Sequence, residues 1–254
     1  MTKTILVTGG TGKLGSLVVG ILRDAGHDVR VASRRSGAGL STVDWKTGEG
    51  LTAAVSGADV IVHCAAAFGD VELDRKLVAA AAEVKVPHLL YISIVGVDKV
   101  PFKYYRTKLD AEQVIVRSGV PYTILRTTQF HDLIRVVFAA TAKIHLMLVP
   151  AFGFQPLDVS EVAERLTALA LEGPAGRVPD MGGPQVLSSK EMARMFLKAT
   201  GRRRLIVPFR LPGKAFRAFR AGHHHTPRHA DGRITFAEYL LEHPERTVSY
   251  RGKS

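Results

Sequence analysis

Residues 4–15 read TILVTGGTGKLG. Thr4 to Thr8 is a continuous apolar run, the pattern of a strand covered on both faces. Past the glycines, Leu14, Leu17, Val18, Ile21 and Leu22 recur on one face of a helix over Leu14–Ala25, with Gly26 as its stop. Between strand and helix stand Gly9, Gly12 and Gly15. Glycine here serves a tight turn, close backbone approach to a pyrophosphate, and close helix packing. The helix N-terminus adds free N–H donors and the positive end of its dipole. The spacing is G-x-x-G-x-x-G, not the commoner G-x-G-x-x-G, but the context on both sides is the required one. Gly9, Thr11, Gly12, Lys13, Leu14 and Gly15 are therefore expected to hold a dinucleotide phosphate.

The second strand, Asp28–Ser33, bears on which dinucleotide. A carboxylate about 20 residues past the loop is the usual partner of a ribose 2′-hydroxyl. This chain has VASRRSG instead, and the guanidinium groups of Arg34 and Arg35 suit a 2′-phosphate. NADP(H) is expected over NAD(H), with Lys13 adding charge from the loop. Asp44 falls just past a short third strand near Val43, as an adenine contact or as a loop aspartate.

Outward from there the two periods keep alternating. A short helix spans Leu51–Ser56, and VIVHC at Val60–Cys64 is a buried strand. Val71–Lys85 is an alanine-rich helix, His88–Val95 a strand, Tyr104–Ser118 a helix, and Tyr122–Arg126 a strand. Alternating strands and helices with short connections predict an α/β fold, a doubly wound parallel sheet with ligands at the strands' carboxyl ends. Small residues at the end of the fourth strand, Ala65 among them, allow close approach of a ribose. His63 reads as a packed residue.

Tyr104 and Lys108 stand four apart at the start of a helix and share a face. An ammonium beside a phenol stabilises the phenolate, so the tyrosine can exchange a proton near neutral pH. Ser93, ending the preceding strand, is placed to hydrogen-bond a substrate carbonyl. Tyr105 is a rival for Tyr104, since one residue of helix phase exchanges them.

With these pieces assembled, the chain resembles the short-chain dehydrogenase/reductase superfamily, and within it the atypical, NmrA-like group of NAD(P)H-binding proteins. The resemblance rests on TGGTGKLG, GADVIVHCAA, YISIVGVD, YYRTKLDAEQVI, SGVPYTILRTTQFHD and PLDVSEVAE. It implies a Rossmann-like fold, Tyr104 as general acid, Lys108 on the nicotinamide ribose and Ser93 on the carbonyl. It also implies that Thr127, Thr128, Gln129 and Phe130 line the nicotinamide and substrate pocket. Two departures stand out. Ser93 precedes Tyr104 by only eleven positions, and Thr127 follows Arg126 where many relatives have proline.

After Pro150 the rhythm breaks, so the expected division is a nucleotide-binding domain over 1–150 and a small α/β substrate lobe over 151–254, partly interleaved with it. Helices are predicted at Asp158–Leu171, from Ser188 or Ser189 to Thr200, at Pro212–Ala221 and at Thr235–His243. Short strands are predicted at Arg177–Met181 and Leu205–Val207. The apolar window Val136–Phe154 reads as a helix end followed by a buried strand, because Lys143, His145 and Pro150 interrupt it and it falls short of a membrane span. The histidines His223, His224 and His225 read as a flexible surface loop.

Composition excludes several classes. Of 254 residues, 46% are hydrophobic, too many for a disordered chain. Cys64 is the single cysteine, which removes a disulfide scaffold, and no Cys/His set has zinc spacing. No metal is expected. The N-terminus reads as having no targeting segment, so a cytoplasmic location is expected. The net charge is +12, and +8 of it lies after Gly201 (12 lysines and arginines against 4 acidic residues). The segment PGKAFRAFRAGHHH reads best as a helix that packs Phe216 and Phe219 and solvates its cations. Nucleic acid is not expected as a partner, and the oligomeric state is open.

The function these readings favour is an NADPH-dependent reductase of a small carbonyl, quinone or conjugated substrate. The alternatives are a redox sensor that binds NADP(H) and acts through a protein partner, or a nucleotide-sugar epimerase or dehydratase.

Overall fold

The computed structural model describes residues 1–34, 37, 39–65 and 71–244. In chain order the elements are β1 (Thr4–Thr8), α1 (Lys13–Asp24), β2 (Asp28–Ser33), β3 (Leu40–Thr42), α2 (Leu51–Val55), β4 (Val60–His63), α3 (Glu72–Glu83), β5 (Leu89–Ile94), α4 (Lys103–Arg117) and β6 (Tyr122–Thr127). There follow α5 (His131–Thr141), β7 (Leu146–Pro150), β8 (Gly153–Phe154), α6 (Val159–Glu172), β9 (Gly176–Arg177), β10 (Leu187–Ser188), α7 (Ser189–Ala199), β11 (Leu205–Phe209), α8 (Lys214–Arg220) and α9 (Phe236–Glu242).

Seven strands form one parallel sheet in the order β3-β2-β1-β4-β5-β6-β9. The order reverses between β1 and β4, and a crevice opens at such a switch point beyond the strands' carboxyl ends. Thr8 and His63 are register partners there. The doubly wound α/β reading thus holds, with the third strand a few residues earlier than Val43. The strand expected over Arg177–Met181 is shorter, and its far end survives as an isolated bridge between Thr127 and Met181.

The chain divides into two compact units, residues 1–93, 103–126 and 162–179 in one and 94–102, 127–161 and 180–254 in the other. The expected boundary at residue 150 falls inside a continuous segment of the second unit. The first unit buries Leu6, Ile61, Leu77, Leu89, Tyr91, Ile115 and Ile124 in one cluster, so the continuous apolar strands are covered as their composition demands.

The second unit has its own core of Phe138, Met147, Val149, Phe196, Phe236 and Tyr239. Capping boxes begin two of its helices, Ser188 with Glu191 on α7 and Thr235 with Glu238 on α9. Two expectations fail here. The strand β7 is not buried on both faces, because Leu146 and Leu148 are exposed. Nor does the whole histidine run stand at the surface: His223 is exposed and His225 half-buried, but His224 is fully buried among Phe152, Phe154 and Phe219. Its Nε2 lies 2.8 Å from the Gly153 carbonyl oxygen. The rings come from two separate stretches of chain, and they draw the middle histidine of a polar-looking run into the core. Among the described residues no helix is long and apolar enough to cross a membrane.

Candidate active site

The glycine loop closes at the carboxyl end of β1. Gly9 has φ +68°, which favours glycine, and a Cβ on it would meet Ala65 N at 2.8 Å. A Cβ on Gly15 would collide with the Gly9 carbonyl. The turn is tied by Gly12 N–H donating to Gly9 O at 2.9 Å. Helix α1 then starts with Gly12 at its N-cap and no side-chain cap. Thr11, Gly12 and Lys13 are exposed at this end, while Leu14 and Gly15 are buried. A helix start without a side-chain cap, led by exposed residues and set at a switch point, fits a pyrophosphate. Arg34 directly follows β2 and is exposed, whereas Arg35 lies outside the described residues. Asp44 accepts from Lys46 N at 2.7 Å and more weakly from Thr47 N at 3.4 Å, and these bonds lower its pKa.

Beneath the loop runs a buried chain that sequence reasoning missed. Thr8 and His63 are fully buried and Asp74 nearly so. Thr8 Oγ1 lies 2.6 Å from His63 Nδ1, and His63 Nε2 lies 2.8 Å from Asp74 Oδ1. Ala65 N–H donates to Thr8 Oγ1 at 3.3 Å. With the imidazole protonated on Nε2, the tautomer its partners select, all three bonds run one way. The amide donates to the hydroxyl, the hydroxyl to Nδ1, and Nε2–H to the carboxylate. The signal available in the sequence was a threonine just before the first glycine and a histidine at the end of β4.

Helix α4 carries the tyrosine and lysine. Tyr104 is half-buried and Tyr105 is buried. Lys108 is buried, its Nζ donating to Ile92 O at 3.0 Å and standing 4.5 Å from the Tyr91 ring centroid. Burial pulls the Lys108 pKa down to about 8, against the opposing pull of Asp74, Cys64 and Glu112. Ser93 follows Ile92 on β5. Its hydroxyl is buried with no hydrogen-bond partner among the described residues. An orphaned hydroxyl of this kind costs free energy unless something else engages it.

Neighbouring groups are tuned away from chemistry. Burial, then the charges of Asp74, Tyr104 and Glu112, holds the Tyr91 phenol far above its ordinary range. Burial pushes the Cys64 thiol up to about 12, so it is not a thiolate at neutral pH. Helix α4 is fixed to β6 by a buried bidentate ion pair, Arg126 Nε to Glu112 Oε1 at 2.8 Å and Nη2 to Oε2 at 2.6 Å.

In the second unit, Thr127 to Phe130 lie on one backbone track. Thr127 O accepts from Val95 N at 3.0 Å, and Thr128 N–H donates to Met181 O at 3.1 Å. Thr128 Oγ1 accepts from Gly183 N, and Gln129 O from Leu157 N. Thr127 and Thr128 are buried; Gln129 and Phe130 are half-buried.

Comparison with known proteins follows the same lines. Residues 9–143 match the family model described as NAD(P)H-binding. A (4-alkanoyl-5-oxo-2,5-dihydrofuran-3-yl)methyl phosphate reductase of Streptomyces griseus is 30% identical over 213 residues, covering 78% of this chain and 74% of that protein. An NAD(P)H azoreductase of Xenophilus azovorans is 27% identical with the same coverage. Among solved structures, the NADPH-dependent quinone oxidoreductase QOR2 of Escherichia coli in complex with NADPH superposes with a TM-score of 0.81 at 17% identity, covering 94% of this chain and 99% of that one. A UDP-N-acetylglucosamine 4-epimerase of Bacillus cereus shares the fold with a TM-score of 0.71 at 18% identity, covering 95% and 96%. With the glycine loop and the switch-point sheet in place, the family model matched over more than half of the chain's length shows that the chain belongs to the NAD(P)H-binding family.

Proposed function

We propose that this NAD(P)H-dependent oxidoreductase takes NADPH in preference to NADH and reduces a small carbonyl, quinone or conjugated substrate, with Tyr104 as proton donor. The observation that carries the reading is the orphaned, buried hydroxyl of Ser93. It directly follows Ile92, whose carbonyl anchors Lys108, on whose helix Tyr104 stands one turn earlier. Two reductases among the relatives support the same reaction class.

When bound, NADPH would supply a hydride at this site. Ser93 Oγ–H donates to the substrate oxygen and polarises it toward that hydride. Tyr104 gives its phenolic proton to the same oxygen as charge develops there. The Lys108 ammonium keeps the phenol acidic enough to do so and contacts the nicotinamide ribose. Gly9, Thr11, Gly12, Lys13, Leu14, Gly15 and Ala65 receive the dinucleotide, with Asp44 toward the adenine and Thr127 toward the nicotinamide. Arg34 and Arg35 take the 2′-phosphate. Thr128, Gln129 and Phe130 contact substrate.

The test is NADPH oxidation against a panel of quinones, ketones and enones. Turnover with at least one class is expected. Tyr104→Phe should lower it by at least ~10²-fold with NADPH affinity kept, and Arg34→Ala should erode the preference for NADPH over NADH. Tight NADPH binding with no turnover across the panel would instead make the protein a cofactor sensor.

A further inference from the structure

The strands β7 and β11 pair in parallel, Leu205 opposite Leu146 and Val207 opposite Leu148. One face of this two-stranded ribbon is core, with Met147 and Val149 buried beside Phe138 and Phe196. Among the described residues none covers the opposite face fully. Leu146 is 49% exposed, Leu148 46%, Leu205 66%, and Ile144, two residues ahead of β7, 62%. Lone exposed leucines are ordinary, but a set made contiguous by strand register marks an interaction surface. Parallel strands in particular seldom leave a face to water.

The same ribbon is strongly basic. Lys143 leads into β7, Arg202, Arg203 and Arg204 lead into β11, and Arg210 leaves it. Arg204 Nε donates to Ala142 O at 3.0 Å, which brings the segments leading into the two strands side by side. No carboxylate occurs in residues 142–157, and none in 201–230, a stretch with eight lysines and arginines.

Three occupants compete for such a face. A second copy of the chain would cover the leucines but set like charges against each other. A nucleic-acid backbone would pair the arginines and leave the leucines in water. An anionic bilayer takes both, the leucines entering the headgroup–acyl boundary and the cations staying at the phosphate level. We propose that the β7–β11 ribbon is a peripheral docking surface for an anionic lipid bilayer. The inference is independent of the reaction assigned above, since it uses no residue of that site.

The test is co-sedimentation of the full chain with vesicles of phosphatidylcholine alone and of phosphatidylserine with phosphatidylcholine in a one-to-two ratio. Partition to the mixed vesicles at least ~10-fold above the neutral ones is expected, weakened but not abolished by salt. The double variants Leu146→Ser with Leu148→Ser and Lys143→Glu with Arg203→Glu should each lower partition by roughly 10-fold or more while keeping the wild-type unfolding midpoint. All four positions are exposed, so the second pair keeps the test valid if the first disturbs folding. Failure to sediment with the mixed vesicles overturns the proposal. So does binding that neither variant weakens. A dimer lost in the leucine variant without vesicle binding would give the face to a second copy. DNA binding that needs the cations but not the leucines would give it to nucleic acid.

Discussion

Thr8 and His63 face each other across the switch point of the sheet, Thr8 Oγ1 standing 2.6 Å from His63 Nδ1 at the ends of β1 and β4. The hydroxyl also receives Ala65 N–H, and Ala65 is the residue that Gly9 must pass without a Cβ. One hydroxyl therefore serves both the imidazole and the edge of the glycine turn. Thr8→Val strips both bonds and is expected to cost about 1–3 kcal/mol, the penalty for buried unpaired groups. Thr8→Ser keeps them and should restore most of that stability. If the chain positions the turn, NADPH affinity, read by nicotinamide fluorescence, should fall severalfold in Thr8→Val and recover in Thr8→Ser. An affinity unchanged in Thr8→Val would limit the chain to holding β1 and β4 together.

Lys108 makes a prediction with a definite sign. Burial lowers its folded pKa from 10.5 to about 8. Between those values the unfolded chain holds a proton that the folded chain has released, so stability rises with pH from about 8 to 10.5. Below that window both states are charged and the cost is constant. Urea unfolding across it should show a steeper gain for wild type than for Lys108→Met, and the difference between the two isolates this group. Parallel curves would mean that Lys108 titrates as an ordinary surface lysine.

How far these features can be read from sequence depends on how local their causes are. The strand at Thr4–Thr8, the glycine turn and the pairing of Tyr104 with Lys108 on one helix face follow from periods and spacings within a dozen residues. The switch-point chain does not. Asp74 is eleven residues from His63 on a different element, and nothing in ELDRKLVA marks one aspartate as buried. The pair of Glu112 and Arg126 is hidden for the same reason, two charges on a helix and a strand that ordinarily read as solvated. His224 failed in the other direction. Three polar residues in a row imply exposure, and only the meeting of Phe152, Phe154 and Phe219 around one ring reverses that. At β7, LMLVP reads as a buried strand, yet among the described residues its partner strand β11 and the core behind it leave Leu146 and Leu148 exposed.

His224 predicts acid lability. Burial first, then the neighbouring histidines, pulls its pKa from 6.5 down to about 3. The folded chain keeps the ring neutral where the unfolded chain protonates it, so stability is lost as pH falls from 6.5 toward 3. His88, lowered to about 4 by burial and by Lys3, adds to the same slope. His224→Gln removes one titration while its amide can still donate to Gly153 O. It should be less stable than wild type at neutral pH and should lose stability less steeply on acidification. Thermal unfolding midpoints at a series of pH values would show it, and equal slopes would contradict the buried neutral ring.

The ion pair of Glu112 and Arg126 separates stability from placement. Both groups are buried and fully engaged in a bidentate contact. Arg126→Met leaves a carboxylate buried alone and is expected to cost about 3–5 kcal/mol. Glu112→Leu combined with Arg126→Met removes both charges, and such replacements are often neutral or stabilising. The urea midpoint of the double variant should therefore recover much of the loss. Its turnover should not, if the pair's two parallel bonds are what hold α4, and with it Tyr104 and Lys108, in register with β6. An apolar pair packs without fixing an axial position, so the expected signature is a lowered kcat with NADPH affinity unchanged. Recovery of kcat along with stability would show that packing alone places the helix.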